Sequence, residues 1–331
     1  MARFIGSVIL LALFVAAAIA AWPQLLGLEH TEPFAQIVAM RGLSVGVAAL
    51  LIVFLLILSL VIRPWRGFLG RVCVILLLFA LANVAILIWR GVGNAPLPTK
   101  AANDVTVLSW NTLGDQVSAD RVVALAEEQD AQIIVLPETT NELANRVAAG
   151  LSERDGQSYV AHTAATDQVY RYRSTSVVVN ASLGEYRLDP DAGADGVIPS
   201  VVLRPSESAS PTIIGVHSMA PIPGEMATWR EHMNWLRGAC EIPNAIIAGD
   251  VNATPDHLTD VAGCEIASVS ARNAGVGTWH TMLPALAGAP IDQVFSTSGW
   301  RASGFHVVTS EGAAGSDHRP VLARLSPANV G

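Results

Sequence analysis

Three runs without a charged side chain dominate the first hundred residues: Ile5–Leu28, Gly42–Ile62 and Val72–Trp89. Each is long enough to cross the roughly 30 Å hydrocarbon layer of a bilayer as a helix. Arginines stand at their ends (Arg3, Arg41, Arg63, Arg71, Arg90), and Trp22, Trp65 and Trp89 lie near run ends, where indole favours the interface. From residue 105 the pattern changes to short apolar runs broken by polar turns. Val105–Trp110, Gln132–Leu136, Thr175–Asn180, Val197–Leu203, Thr212–His217, Ala245–Ala248, Ile291–Phe295, Phe305–Val308 and Pro320–Leu325 read as strands. Ala119–Glu128, Glu138–Ala149 and Glu225–Arg237 carry helical spacing. An early βαβα order followed by strand-rich segments predicts an α/β sandwich of mixed sheets, preceded by three transmembrane helices. This divides the chain into an anchor (1–90), a linker (91–104) and a soluble domain (105–327). The linker, GVGNAPLPTKAAND, has the composition of a tether.

Charge sharpens the division. The chain has 331 residues and a formal net charge of −8. The first hundred residues carry a net +5, and the rest carry −13. A disordered chain, a disulfide-dense mini-protein and a basic nucleic-acid-coating protein are excluded. The second connection, Arg63–Arg71, holds three arginines and no acid, whereas the first holds Glu29 and Glu32. The positive-inside rule then places the N-terminus in the cytoplasm and everything after residue 90 outside it, in a multi-pass protein of the cell membrane. The first run also admits reading as a cleaved signal peptide, although its length favours a retained helix. Cys240 and Cys264 are either a disulfide or two buried thiols.

The chemistry lies where strands end. Asn111 follows the first strand, Glu138 the second, His217 a later one, and Asp250 and Asn252 another; Asp292 and the pair Asp317-His318 come last. One strand ending in Asp or Asn is ordinarily a turn, but polar residues gathered from several strand ends are how an α/β scaffold builds a cleft. The segments Trp110-Asn111, Leu136-Pro137-Glu138, Val216-His217-Ser218, Gly249-Asp250-Val251-Asn252-Ala253, Ile291-Asp292 and Ser316-Asp317-His318-Arg319-Pro320 resemble, in order, the motifs of the endonuclease/exonuclease/phosphatase superfamily. With three spans ahead of it, the chain resembles a bacterial membrane-bound branch of that group.

The resemblance implies a four-layer α/β sandwich and a Mg²⁺- or Mn²⁺-dependent phosphodiester hydrolase. It implies metal ligation by Glu138 and Asn111, with Asp317 a further metal-site or histidine-supporting carboxylate, water activation by Asp250, and a hydrogen bond from Asn252 to the phosphoryl oxygen. His318, oriented by Asp292, would contact the phosphate, and His217 would serve the leaving group or the phosphate. These roles fit what phosphoryl transfer needs: a hard cation, an activated water and a proton donor. Tyr170-Arg171-Tyr172-Arg173 replaces the family's usual glycine-led strand, and His280 follows Thr278-Trp279 where proline is common. Lysine is absent after Lys100, which argues against tight binding of bulk DNA. The expected partners are a lipid bilayer, through the three N-terminal helices, and a phosphodiester of unassigned class. No protein partner is indicated. The alternative from another class is a catalytically silent, membrane-anchored binding or sensor module.

Overall fold

The computed structural model describes residues 1–166, 170–194, 198–311 and 314–328. The chain begins with α1 (Ala2–Ala21), α2 (Phe34–Ala39), α3 (Arg41–Val61) and α4 (Arg66–Arg90). Among these, α1, α3 and α4 are long and apolar enough to cross a membrane, and only 6%, 6% and 17% of their apolar stretches are buried. Phe14, Leu50, Phe54, Leu60 and Leu81 project outward, a surface suited to lipid and costly in water.

The remainder runs β1 (Val105–Ser109), α5 (Ala119–Glu128), β2 (Ile133–Pro137), α6 (Asn141–Asp155), β3 (Tyr159–Ala165), β4 (Ser174–Asn180), β5 (Tyr186–Leu188), β6 (Val201–Pro205), β7 (Thr212–His217), α7 (Met226–Ala239), β8 (Ala245–Asp250), β9 (Glu265–Ile266), α8 (Ala267–Ser270), β10 (Asp292–Ser296), β11 (Trp300–Val307) and β12 (Val321–Pro327). Two six-stranded sheets result, ordered β11-β12-β1-β2-β4-β3 and β5-β6-β7-β8-β10-β9. Each holds one parallel pair, β1/β2 and β7/β8, among antiparallel neighbours. The pairs are joined by α5 and α7, so each sheet contains one βαβ unit.

Strands buried on both faces explain their continuous apolar runs. Val105, Val107, Ile133 and Val135 meet Leu203, Ile213, Ile246 and Val294 between the sheets. Leu108, Ile134 and Leu136 turn the other way, onto Val122, Val147 and Leu151 of α5 and α6. Ile214, Val216 and Ile247 pack on Trp229, Met233 and Leu236 of α7. The order helix–sheet–sheet–helix is the four-layer sandwich expected. Three strands had no counterpart in the sequence pattern: β3, β5 and β9. The expected strand from Val197 is β6, beginning at Val201; Val197 itself lies outside the described residues.

Two local expectations differ from the structure. The helix expected from Glu138 starts at Asn141, because Thr140 caps it by accepting the Leu143 N–H and Glu138 is held at φ +55°. Segment 91–104, read as a tether, instead lies against the domain. Asn94 exchanges hydrogen bonds with the Val307 backbone and Asn273, and Arg324 donates to the Pro98 carbonyl. Cys240 and Cys264 are bridged, and Cys73 is a free, buried thiol.

Candidate active site

The C-terminal ends of the two parallel pairs open onto one place. One sheet delivers Asn111 and Glu138 from β1 and β2. The other delivers His217 and Asp250 from β7 and β8, and Asp292 begins β10 beside them, paired across the ladder with Asp250. The loop entering β12 adds Asp317 and His318. All eight residues singled out in the sequence form one connected group.

Asn111 is its bridge. Its Nδ2 donates to Glu138 Oε1 at 3.0 Å and to Asp250 Oδ2 at 3.1 Å, while its Oδ1 accepts the Leu113 N–H. The amide nitrogen, rather than the oxygen expected to ligate a metal, therefore faces the carboxylates. His318 Nδ1 lies 2.9 Å from Asp292 Oδ2, and its Nε2 lies 3.6 Å from Asp250 and 3.9 Å from Asp317. His217 Nε2 is 3.8 Å from Glu138 Oε1. Asn252 sits at φ +47°, donates its backbone N–H to Asp250 Oδ1, and donates Nδ2 to the Ser218 carbonyl. Two non-glycine residues of one site in the left-handed region, Glu138 and Asn252, are the kind of strain that the surrounding structure must hold in place. Gly249 belongs to the same design: at φ +146°, any Cβ would strike the Val216 carbonyl of the adjacent strand.

The electrostatics separate the two histidines. Burial alone would lower the His318 pKa, but Asp292 and Asp250, aided by Asp317, push it up to about 10. Burial lowers His217 to about 4, and the nearby Asp250 only partly opposes this. At neutral pH one imidazole is a cation and its neighbour is neutral. Burial raises Asp250, with His318 opposing and Asp292 reinforcing. Burial also raises Glu138, against its Asn111 hydrogen bond and with help from Asp250.

Several residues quoted within the sequence segments, but given no role there, support the site. Trp110 Nε1 donates to the His318 carbonyl at 3.1 Å, and Ser316 Oγ donates to the Asn111 carbonyl. Trp279 Nε1 donates to Asp317 Oδ2 at 2.9 Å, and Thr278 Oγ1 receives the Asp292 N–H. Arg319 clamps the loop ahead of β10 through the carbonyls of Gly277, Thr281 and Leu283. The Thr-Trp dipeptide was the visible trace of this support. His280 is half-buried beside it, its Nδ1 accepting the Met282 N–H. Tyr170 and Tyr172 are exposed and touch each other at 5.5 Å between ring centroids, with the Arg173 guanidinium 4.6 Å from the Tyr170 ring centroid and 5.5 Å from that of Tyr172. Tyr170 and Arg171 border a cavity of about 660 Å³ that includes Asp115 and Thr140, two residues beyond Glu138.

The family model of the Endonuclease/Exonuclease/phosphatase family matches residues 108–318. A search of curated proteins finds no match. Among solved structures, an endonuclease/exonuclease/phosphatase from Beutenbergia cavernae DSM 12333 is similar at 16% identity and a TM-score of 0.52, over 68% of this chain and 72% of that one. One from Bacteroides vulgatus is similar at 21% identity and a TM-score of 0.49, over 68% and 99%. The mannosyl-6-phosphatase Bt3783 of Bacteroides thetaiotaomicron VPI-5482 gives 14%, 0.47, 67% and 99%. The likeness to these structures is one of fold. The family match, however, spans most of the chain and runs from β1 to His318: this chain belongs to the endonuclease/exonuclease/phosphatase family.

Proposed function

We propose that this chain is a membrane-anchored, divalent-cation-dependent phosphoesterase that hydrolyses a phosphodiester by attack of an Asp250-activated water. The observation that carries the reading is the gathering of Glu138, Asp250, Asp292 and Asp317 around the single charged imidazole of His318. Such an excess of carboxylate is costly unless a cation offsets it.

The donors fit a hard divalent ion. Asp317 Oδ1 and Asp292 Oδ1 are buried without a hydrogen-bond partner among the described residues, and carboxylate oxygen is what Mg²⁺ or Mn²⁺ prefers. Ligand atoms of Asp250, Asp292 and His318 lie within 4.8 Å of one another. A protonated His318 cannot ligate, however, so Glu138 and Asp317 are the better seat, with Asn111 holding Glu138 in place. When bound, the cation supplies charge neutralisation at the phosphoryl oxygens.

The protein's own groups do the rest. Asp250, with Oδ1 fixed by the Asn252 N–H, orients the water and takes its proton. His318 keeps its charge at neutral pH and faces the phosphate as a cation held by Asp292. Asn252 has a second amide hydrogen to offer a phosphoryl oxygen. His217, neutral, is suited to hydrogen-bond the leaving group. The anchor is 1–90, the docked connection 91–104 and the catalytic domain 105–327. The arginine count favours a domain outside the cytoplasm, and the Cys240–Cys264 bridge supports that reading.

The test is turnover by the full chain in detergent of bis(p-nitrophenyl) phosphate, DNA, RNA and phospholipid, with and without Mg²⁺ or Mn²⁺. Cation-dependent hydrolysis that Asp250→Asn and His318→Ala abolish is expected. No turnover of any substrate would leave the silent binding module as the better reading, and variants equal to wild type would overturn the roles given to Asp250 and His318.

A further inference from the structure

The ends of the anchor and the rim of the site are built together. Three helix ends meet on one side: the C-terminus of α1, the N-terminus of α3 and the C-terminus of α4. Arg41 donates to the Ala21 carbonyl, and Arg41 and Arg90 both grip Asp256. Asp256 is six residues from Asp250, so the site lies within about 20 Å of the span ends along the chain.

Two rim loops touch the anchor directly. The loop after β7 is held where the Pro221 carbonyl accepts from Gln36 of α2. The loop that carries Trp279 onto Asp317 continues past the first turn of α3. There Gly42 lies so close to the Leu286 carbonyl that a Cβ would overlap it. Both loops are therefore level with the span ends, where Trp22 and Trp89 stand exposed.

At that level the rim is apolar. Residues 281–291, TMLPALAGAPI, contain no charge. Met282 is 84% exposed, Leu286 51% and Ile222 51%. With the spans in a bilayer, these side chains sit at its surface, in continuity with the lipid-facing helices. A domain of net −13 without lysine beyond residue 100 also disfavours a long polyanion as substrate.

We propose that the substrate is a bilayer lipid with a phosphodiester headgroup, which reaches the site sideways from the leaflet across the apolar rim of Ile222, Met282 and Leu286. The proposal rests on the phosphoesterase reading above. In the reaction the water oxygen bonds to phosphorus and one P–O ester bond breaks. One water proton ends on the leaving alcohol, and the other stays on the new phosphate or passes to solvent. No further reactant is required.

The experiment uses the full chain reconstituted in vesicles of phosphatidylcholine, phosphatidylglycerol and sphingomyelin, with headgroup release measured beside hydrolysis of bis(p-nitrophenyl) phosphate. The double variant Met282→Glu/Leu286→Glu is expected to lose on the order of tenfold in lipid hydrolysis, about the cost of one unfavourable apolar-to-charged contact. Its soluble activity should stay within about twofold of wild type. Met282→Glu alone, at a nearly fully exposed position, gives a smaller selective loss and controls for folding. Equal lipid hydrolysis by wild type and double variant overturns the rim. Soluble turnover without lipid turnover by wild type overturns the substrate class but leaves the phosphoesterase reading standing. Turnover of neither rejects both.

Discussion

Asp250 and Asp256 leave the same strand six positions apart and enter opposite electrostatic company. Around Asp250 carboxylates outnumber cations, two of their buried oxygens have no hydrogen-bond partner among the described residues, and burial raises its pKa. Asp256 is almost completely buried as well, yet it is bound by two guanidiniums and by Gln24 Nε2. Burial opposes its ionisation, but the hydrogen bond and charge of Arg41, with the charge of Arg90, outweigh it and hold the carboxyl below the usual range. The first group is unbalanced and poised for something from outside. The second is closed and serves as a joint. Burial of charge alone does not mark a functional site; an imbalance left within the protein does.

The comparison can be broken at either end. The largest effect belongs to the open cluster: Asp250→Asn should cost on the order of a thousandfold or more in turnover, about 4 kcal/mol of transition-state stabilisation, with little change in melting temperature. Asp256→Ala should do the reverse. It strands the buried Arg41 and the partly buried Arg90 guanidinium, and about 3–5 kcal/mol of stability should vanish in a denaturation series.

Acid and alkali should then find different halves. Burial lowers His257, beside the joint, to about 4, with Asp256 opposing, and His217 behaves similarly. The unfolded chain takes up these protons below about pH 6.5 and the folded one refuses them. Stability is therefore full above that pH and falls between 6.5 and 4, by roughly 3 kcal/mol per histidine. His318 is raised to about 10, so its contribution is full below 6.5 and lost as pH climbs through 10. Melting curves across pH should show both limbs, and Asp292→Asn should flatten only the alkaline one. The smallest effect is binding: Mg²⁺ or Mn²⁺ at a hundred times its dissociation constant should stabilise wild type by about 2.7 kcal/mol and Glu138→Gln by much less. An equal shift in both would move the cation seat away from Glu138.

Much of this was legible in the chain because it is local. The helical spacing of 119–128 is α5 without adjustment, and Thr212–His217 is β7 as expected, since both are set by short-range apolar pattern. The eight candidate residues could be picked out because strand ends carry them within recognisable segments, and the structure brings them together. Edge strands were not: β3 is only half-buried and β5 has three residues, so neither writes an apolar run. The composition of 91–104 suggested freedom, but it cannot reveal that Asn94 meets Asn273. Asp256 stands out in no sequence pattern, because its partners Arg41 and Arg90 stand 215 and 166 positions earlier.

That separation has a consequence for biogenesis. Synthesis proceeds from the N-terminus, so α1, α3 and α4 are made before Asp256 exists. Arg41, 3% exposed in the finished protein and sharing its remaining bonds with Asn83 and the Ala21 carbonyl, waits as an uncompensated cation until most of the domain has emerged. The anchor is thus completed by the domain it carries. A product lacking residues beyond 255 leaves Arg41 and Arg90 without the carboxylate they share in the finished protein.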